Sequence, residues 1–352
     1  MKHQTTRYGE IPFYKIGTFG NTADAFISKK LFLEYKTKYS FPKKGDILIS
    51  ASGTIGRAVI YDGKPAYFQD SNIVWIDNDE TLVKNDFLFY AYSNVKWNTE
   101  HTTILRLYND NFRNTLIPLP PLNEQSAIAN ILSALDRYLC ALDALILKKE
   151  GVKKALNFEL LSQRKRLKGF NQAWQKVRLG DIANYLTSNL SAKQITQQGK
   201  IKVYDVNNFI GYTDTTFISD KPYISIVKDG SVGRVRILPP KTNILSTMGA
   251  LIANHRTTTE FLFYLLSNFD FKNFTSGSII PHIYFKDYKE KTIFLPPLNE
   301  QSAIANILSG LDNEITSLKN KKRQFENIKK ALNHDLMSAK IRVLEKSVLQ
   351  QK

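Results

Sequence analysis

Arg57 closes the run Gly53-Thr54-Ile55-Gly56-Arg57, and Arg234 closes Gly230-Ser231-Val232-Gly233-Arg234. Each run gathers two glycines, a hydroxyl and a guanidinium between segments that read as strands. Glycine lets backbone amides approach a phosphate and arginine grips it, so the pair points to contact with a polyanion. A tight turn ending in an exposed arginine fits the same letters. Two polar runs, His101-Thr102-Thr103-Ile104-Leu105-Arg106 and Thr275-Ser276-Gly277-Ser278-Ile279-Ile280-Pro281-His282, could face base edges. There arginine suits guanine, and asparagine or glutamine suits adenine. The candidate nucleic-acid contacts in the first half are Lys43, Lys44, Ser52, Thr54, Arg57, Gln69, Ser71, Asn72, His101, Thr102 and Arg106. In the second half they are Lys228, Ser231, Arg234, Arg236, His255, Arg256, Ser276, Ser278 and His282.

Catalytic chemistry is not legible. The sequence holds no Gly-x-x-x-x-Gly-Lys-Ser/Thr phosphate loop and no Asn/Asp-Pro-Pro-Tyr/Phe of amino-methyltransferases. Glu34-Tyr35-Lys36 fits half of a nuclease motif without the Pro-Asp partner. The five histidines are scattered without paired ligand spacing, so no metal site is expected. Cys140 is the single cysteine, which removes any disulfide framework and fits a reducing cytoplasm.

The whole-chain charge agrees with a polyanionic partner. The formal net charge is +17 over 352 residues, divided as +3, +4, +6 and +4 over residues 1–117, 118–168, 169–294 and 295–352. A broad positive field spread over folded segments suits a long polyanion better than a small acidic ligand. With 43% hydrophobic residues the chain can bury a core. No apolar run approaches the roughly 20 residues of a membrane span, and the N-terminus lacks the apolar stretch of a signal peptide, so no membrane association is expected.

The positioning elements come in duplicate. Residues 119–133 return letter for letter at 295–309, 176 positions on, and 27 of the 49 positions in 119–167 and 295–343 are the same. A period of half the chain means two similar units. Within the block, apolar residues recur near every 3.5 positions, which predicts a long helix in a coiled coil. The seams are Ile128, Leu132, Leu135, Leu139, Leu142, Ile146, Val152, Leu156, Leu160 and Ile304, Leu308, Leu311, Ile315, Leu318, Phe325, Ile328, Leu332, Leu336. Lys149 and Lys322 interrupt them. Pro120-Pro121 and Pro296-Pro297 mark the starts, with Asn123 and Asn299 as expected N-caps. About 40 residues of helix would span roughly 60 Å.

The segments before each helix also correspond, as in Asp46-Ile47-Leu48-Ile49 and Ile224-Ser225-Ile226-Val227, or Phe87-Leu88-Phe89-Tyr90 and Phe261-Leu262-Phe263-Tyr264. Short β-rich runs broken by Gly, Asn and Asp read as mixed α/β globules. The expected class is α+β: two such recognition domains separated by two long antiparallel helices in a coiled coil, with a pseudo-two-fold repeat. The expected boundaries are 1–118, 119–168, 169–294, 295–343 and a tail at 344–352. One departure stands out: the second globule opens with Trp174-Gln175-Lys176-Val177-Arg178-Leu179-Gly180-Asp181-Ile182, and the first has no counterpart to this strand.

Taken together, Leu119-Pro120-Pro121-Leu122-Asn123-Glu124-Gln125 and its repeat, the Asp46–Gly56 stretch, and Lys340-Ile341-Arg342-Val343 resemble the conserved regions of specificity subunits of type I restriction–modification enzymes. The resemblance spans nearly the whole chain. It implies a DNA specificity subunit with two target recognition domains, each reading half of a split double-stranded DNA sequence across a helical ruler. It further implies a non-catalytic role, with two methyltransferase (modification) subunits bringing S-adenosylmethionine and restriction translocase–nuclease subunits joining them. No cofactor is expected in this chain itself. Glutamate is favoured on a first helical turn by the dipole. That does not explain a repeated Glu-Gln, so Asn123, Glu124, Gln125, Asn299, Glu300 and Gln301 are the expected docking residues for the methyltransferases. The alternatives are a self-contained DNA-acting enzyme and a coiled-coil scaffold with no nucleic-acid role.

Overall fold

The computed structural model describes residues 4–68, 72–97 and 106–343. The chain divides into two compact units, one made of residues 1–143 and 320–352, the other of residues 144–319. The boundaries fall inside two 40-residue helices, Leu122–Leu161 and Leu298–Met337. Each unit therefore owns one globule and a stretch of both long helices.

In the first unit, strands Ala25–Ile27, Ile11–Tyr14 and Tyr67–Phe68 form one three-stranded sheet. Ala58–Ile60, Ile47–Ser50 and Ile73–Trp75 form another. Ile47–Ser50 is buried throughout. That is what a short unbroken apolar run produces when a strand is central and covered on both faces. Helix Asn85–Tyr92 seals this sheet with Leu88 and Tyr92. Its other face turns Phe87, Tyr90 and Ala91 against Ile128, Ala129, Leu132, Leu336 and Met337 of the long helices.

The second unit repeats the plan with more strands. Phe209–Thr213, Ile201–Tyr204 and Thr242–Ile244 form a three-stranded sheet, and Val235–Leu238, Tyr223–Val227, Met248–Ala253 and Ala183–Thr187 a four-stranded one. Thr275–Ser276 pairs with His282–Ile283, and Gln175–Arg178 pairs antiparallel with Thr292–Leu295. Helix Thr259–Ser267 corresponds to Asn85–Tyr92, and its Phe261 and Leu262 are wholly buried.

Within each unit the two long helices run antiparallel. In the first, Asp136 meets Lys329, the Tyr138 ring packs at a tilt against Phe325 with centroids 4.7 Å apart, and Asp143 meets Lys322 at 2.7 Å. In the second, Lys149 meets Glu314 at 2.8 Å and Lys153 meets Asp312. Lys149 and Lys322, the two interruptions of the seam, thus find carboxylates on the opposite helix. Two expected seam positions do not hold. Val152 and Ile328 are 41% and 51% exposed, and their neighbours Lys153 and Lys329 face inward instead. The lysine stems cover apolar surface while their ammonium groups reach Asp312 and Asp136. Asn123 and Asn299 are not N-caps either. The helices begin one residue earlier, at Leu122 and Leu298, and the carbonyls of Pro121 and Pro297 accept from Gln125 and Gln301 N–H at 2.9 Å.

Candidate nucleic-acid interface

In the second unit the glycine run is a reversal between strands Tyr223–Val227 and Val235–Leu238. Val227 N–H donates to Arg234 O and Gly233 N–H to Val227 O, both at 2.9 Å. Gly233 has a φ of +80°, and a Cβ there would lie 2.6 Å from the Phe271 ring, so only glycine fits. The strand pair 275–276/282–283 docks beside this turn. Gly230 N–H donates to Pro281 O and Ile283 N–H to Lys228 O, each at 2.9 Å, and His282 Nδ1 lies 2.7 Å from Asp229 Oδ1. One end of the sheet therefore gathers Lys228, Ser231, Arg234, Ser276 and His282, with Ser278 in the turn that joins the pair. Asn207 draws in both arginines: its Oδ1 accepts from Arg234 and its carbonyl from Arg236, each at 2.8 Å. The Arg236 guanidinium also lies 5.3 Å from the Tyr204 ring centre.

The first unit builds the same corner. Gly56 has a φ of +80°, and a Cβ there would lie 2.1 Å from Trp97 Nε1. Ser52 bridges to Arg106, Leu107 N–H donates to Ala51 O at 2.9 Å, and Ala51 N–H to Asn72 O at 2.6 Å. Arg57 Nη1 donates to Phe19 O at 3.0 Å. Ser52, Thr54, Arg57, Asn72 and Arg106 thus converge. Gln69, Ser71, His101 and Thr102 lie outside the described residues.

Four candidates are placed elsewhere. Lys43 and Lys44 precede strand Ile47–Ser50, whereas the glycine run follows it, and Lys43 pairs with Asp77 at 2.8 Å. His255 and Arg256 follow strand Met248–Ala253, which runs antiparallel to Tyr223–Val227 with Met248 opposite Val227. They therefore emerge at the end away from the glycine turn, where Arg256 donates to Gln175 Oε1 at 3.3 Å. Consecutive antiparallel strands deliver their loops to alternate ends, about 3.4 Å per residue apart along the strand. Proximity in sequence does not reveal which end.

At that far end, the repeated Glu-Gln pairs are locks rather than docking groups. Glu124, Gln125, Glu300 and Gln301 are buried, at 6%, 1%, 0% and 0% exposure. Gln301 Oε1 accepts from Thr257 Oγ1 at 2.9 Å and Thr258 N at 3.0 Å, while its Nε2 donates to Arg256 O at 2.9 Å and Pro296 O at 2.8 Å. Gln125 does the same with Lys84 N at 2.8 Å, Leu82 O at 3.1 Å and Pro120 O at 2.8 Å. Each glutamine ties the loop before a globule helix to the start of a long helix. Glu300 accepts from Arg166 twice and from Trp174 Nε1 at 2.9 Å, and Glu124 accepts twice from Arg342. Buried carboxylates need such partners. Of the six expected docking residues, only Asn123 and Asn299 are exposed.

The type I restriction modification DNA specificity domain matches residues 1–149 and 171–327, most of the chain in two stretches. The chain belongs to that family. A putative type I restriction enzyme specificity subunit of Haemophilus influenzae is 65% identical over 133 residues, 38% of this chain and 34% of that protein, so the match spans about a third of that relative's length. A putative specificity subunit of Methanocaldococcus jannaschii is 28% identical over 335 residues, covering 85% of this chain and 79% of the other. Among solved structures, a type I S subunit from M. genitalium superposes with a TM-score of 0.64 at 20% identity, over 96% of this chain and 91% of that one. A second type I chain gives a TM-score of 0.55 at 18% identity, over 86% and 82%. At those identities the structures speak for the fold. Two specificity domains in one chain are the arrangement of a subunit for a bipartite target.

For this specificity subunit, the groups that sequence reasoning passed over are chiefly hydrogen-bonding anchors. Asp136 and Asp312 each hold a lysine of the opposite helix and accept a tyrosine hydroxyl, Tyr90 or Tyr264, at 2.8 Å. Burial pushes both tyrosines up, and the facing carboxylate adds to it. The signal was present: Asp136 and Asp312, Lys153 and Lys329, Arg166 and Arg342 are identical pairs at the 176-residue offset. Asn207 and Tyr204 gave no such signal. Among the described residues no group of three or more His, Cys, Asp or Glu side chains is placed to hold a metal, and no helix is long and apolar enough to cross a membrane.

Proposed function

We propose that each unit reads one half of a split double-stranded DNA target with the corner built on its glycine turn. The observation that carries this reading is the convergence of Lys228, Ser231, Arg234, Arg236, Ser276 and His282 at one end of the second globule, with Ser52, Thr54, Arg57, Asn72 and Arg106 as its counterpart in the first. The chain passes between the units twice, each time inside a long helix, so helix length sets the gap between half-sites.

Two methyltransferase subunits bind equivalent surfaces near the helix starts and bring S-adenosylmethionine, and translocase–nuclease subunits join for cleavage. The lock residues are not those surfaces. The exposed members of the repeated stretch are, namely Leu122, Asn123, Asn130 and Ile131 with their counterparts Leu298, Asn299, Asn306 and Ile307. Packing explains why the buried letters of the repeat are held identical; a common partner explains the exposed ones. The chain supplies specificity and no catalysis.

The test is a gel shift of the chain with its methyltransferase partner on duplex DNA at rising salt. Binding is expected to weaken steeply with salt. No binding at any salt would leave a scaffold, and methyl transfer by the chain alone would make it an enzyme.

A further inference from the structure

The run 275–282 carries two residues whose side chains form no hydrogen bond, Ile279 and Ile280. They lie at the tip of the ribbon made by Thr275–Ser276 and His282–Ile283, and they are 92% and 55% exposed. Ile279 is the most exposed large apolar side chain described in the second unit. A single exposed isoleucine is ordinary at a protein surface. What sets this pair apart is its mounting. Ile283 roots the ribbon in the core, and Thr275 Oγ1 donates to Phe271 O at 2.9 Å. Beside the tip, the Pro281 carbonyl is held by Gly230 N–H of the glycine turn. Gly277 has a φ of +91°, and a Cβ there would lie 2.3 Å from the Ile280 carbonyl oxygen, so the turn closes on itself in a shape that only glycine permits. The ribbon thus holds its apolar tip out from the fold on a braced stem.

The surroundings of the tip are polar and basic: Ser231, Arg234, Arg236, Ser276 and Ser278 are all exposed. An apolar protein surface covering the tip would desolvate these groups without pairing them, which is costly. Duplex DNA pairs them with phosphate and also offers an apolar group of its own, the thymine C5-methyl in the major groove. Groove dimensions agree. The two strands of a ribbon lie about 4.8 Å apart between backbones, and a groove about 12 Å wide admits them where one of about 6 Å does not.

We propose that the 275–283 ribbon enters the major groove of the second half-site and that Ile279, backed by Ile280, closes on the C5-methyl of a thymine. The contact rests on the reading that this corner grips duplex DNA, and it makes Ile279 a specificity-determining residue. A cytosine at the same position presents no methyl, and its amino donor meets a side chain that cannot accept a hydrogen bond.

The experiment measures binding of the full chain, with its methyltransferase partner, to the target duplex identified by methylome sequencing. Thymines of the second half-site are replaced one at a time by uracil, which pairs identically and lacks only the methyl. At one position affinity is expected to fall about fourfold, the contribution of one buried methyl group. Ile279→Ala is expected to bind the thymine and uracil duplexes equally, with an unchanged thermal midpoint because the side chain is exposed. Arg234→Ala is expected to weaken both duplexes and keep their ratio. Equal affinity of the unaltered chain for every uracil duplex, a second half-site without an A·T pair, or a methyl dependence that persists in Ile279→Ala each overturns the methyl contact and leaves the DNA reading standing. A loss on Ile279→Ala that is the same for both duplexes, with no methyl dependence in the unaltered chain, means a wedge between stacked bases and overturns it as well. Failure of the unsubstituted target to bind overturns the DNA reading, and the methyl contact with it.

Discussion

Arg166 closes on Glu300 with two nearly parallel hydrogen bonds, Nε at 3.1 Å and Nη2 at 2.6 Å, and Glu300 has no exposure to solvent. Arg342 closes on Glu124 in the same way at 3.3 and 3.0 Å. Planar bidentate pairing is what arginine provides and lysine does not. The carboxylate holds each arginine's pKa up, chiefly through the hydrogen bond.

Glu300→Gln leaves the shape and removes the charge, which strands a guanidinium and weakens the bond from Trp174. Hydrogen bonds to charged groups contribute about 1.5–3 kcal/mol, so chemical denaturation is expected to show a loss of about 2 kcal/mol. Glu124→Gln is expected to cost less, because no described indole donates to Glu124 and its side chain is slightly exposed. Equal losses would show that Trp174 adds nothing.

Tyr90 and Tyr264 link folding to alkaline pH. Burial raises each phenol above its ordinary value of about 10. A group whose folded pKa is raised contributes stability that is complete below the unfolded pKa and is lost as pH rises toward the folded one. Unfolding midpoints are expected to fall above about pH 10. Tyr264→Phe is expected to flatten that fall while costing about 2 kcal/mol at neutral pH, through the lost bond to the Asp312 carboxylate. Thermal melts from pH 7 to 11 measure both.

Gly233→Ala forces a left-handed residue and pushes a methyl group into Phe271. The backbone alone costs about 1–2 kcal/mol. Expected is a disordered corner, with DNA affinity down at the second half-site and the thermal midpoint lowered. Gly230→Ala is the control, since its φ is also positive but its Cβ position is open.

Arg234→Ala and Arg236→Ala each remove one positive contact. If each meets a phosphate, the slope of log binding constant against log salt is expected to flatten by about 0.9 per variant, uniformly across DNA sequences. A change of base preference with an unchanged slope would mean base reading instead.

Insertion of one heptad, about 10 Å of helix, into both long helices at 143/144 and 319/320 is expected to widen the unread gap of the target by about three base pairs at 3.4 Å each. Methylome sequencing with the methyltransferase partner reads the gap directly. An unchanged gap would remove the helices from that role.

The duplicated order, the two long helices and the lack of a legible catalytic motif could be read from the letters, because periodicity and identity at a fixed offset are local properties of a sequence. The same offset marked Asp136, Lys153 and Arg166 with their partners as repeated, without saying what they touch. Tertiary structure alone decided that Glu124, Gln125, Glu300 and Gln301 face inward, since a helical glutamate reads alike whether its neighbour is water or a buried arginine. It alone put Lys43, Lys44, His255 and Arg256 at the end of the sheet away from the glycine turn, because strand direction reverses at every hairpin. The inward face takes Lys153 and Lys329 rather than Val152 and Ile328 because alternating steps of three and four, through Ile146, Lys149, Lys153 and Leu156 and through Lys322, Phe325, Lys329 and Leu332, stay on one side of a coiled-coil helix. Only the tertiary structure supplied the aspartate that each lysine meets across the helix pair.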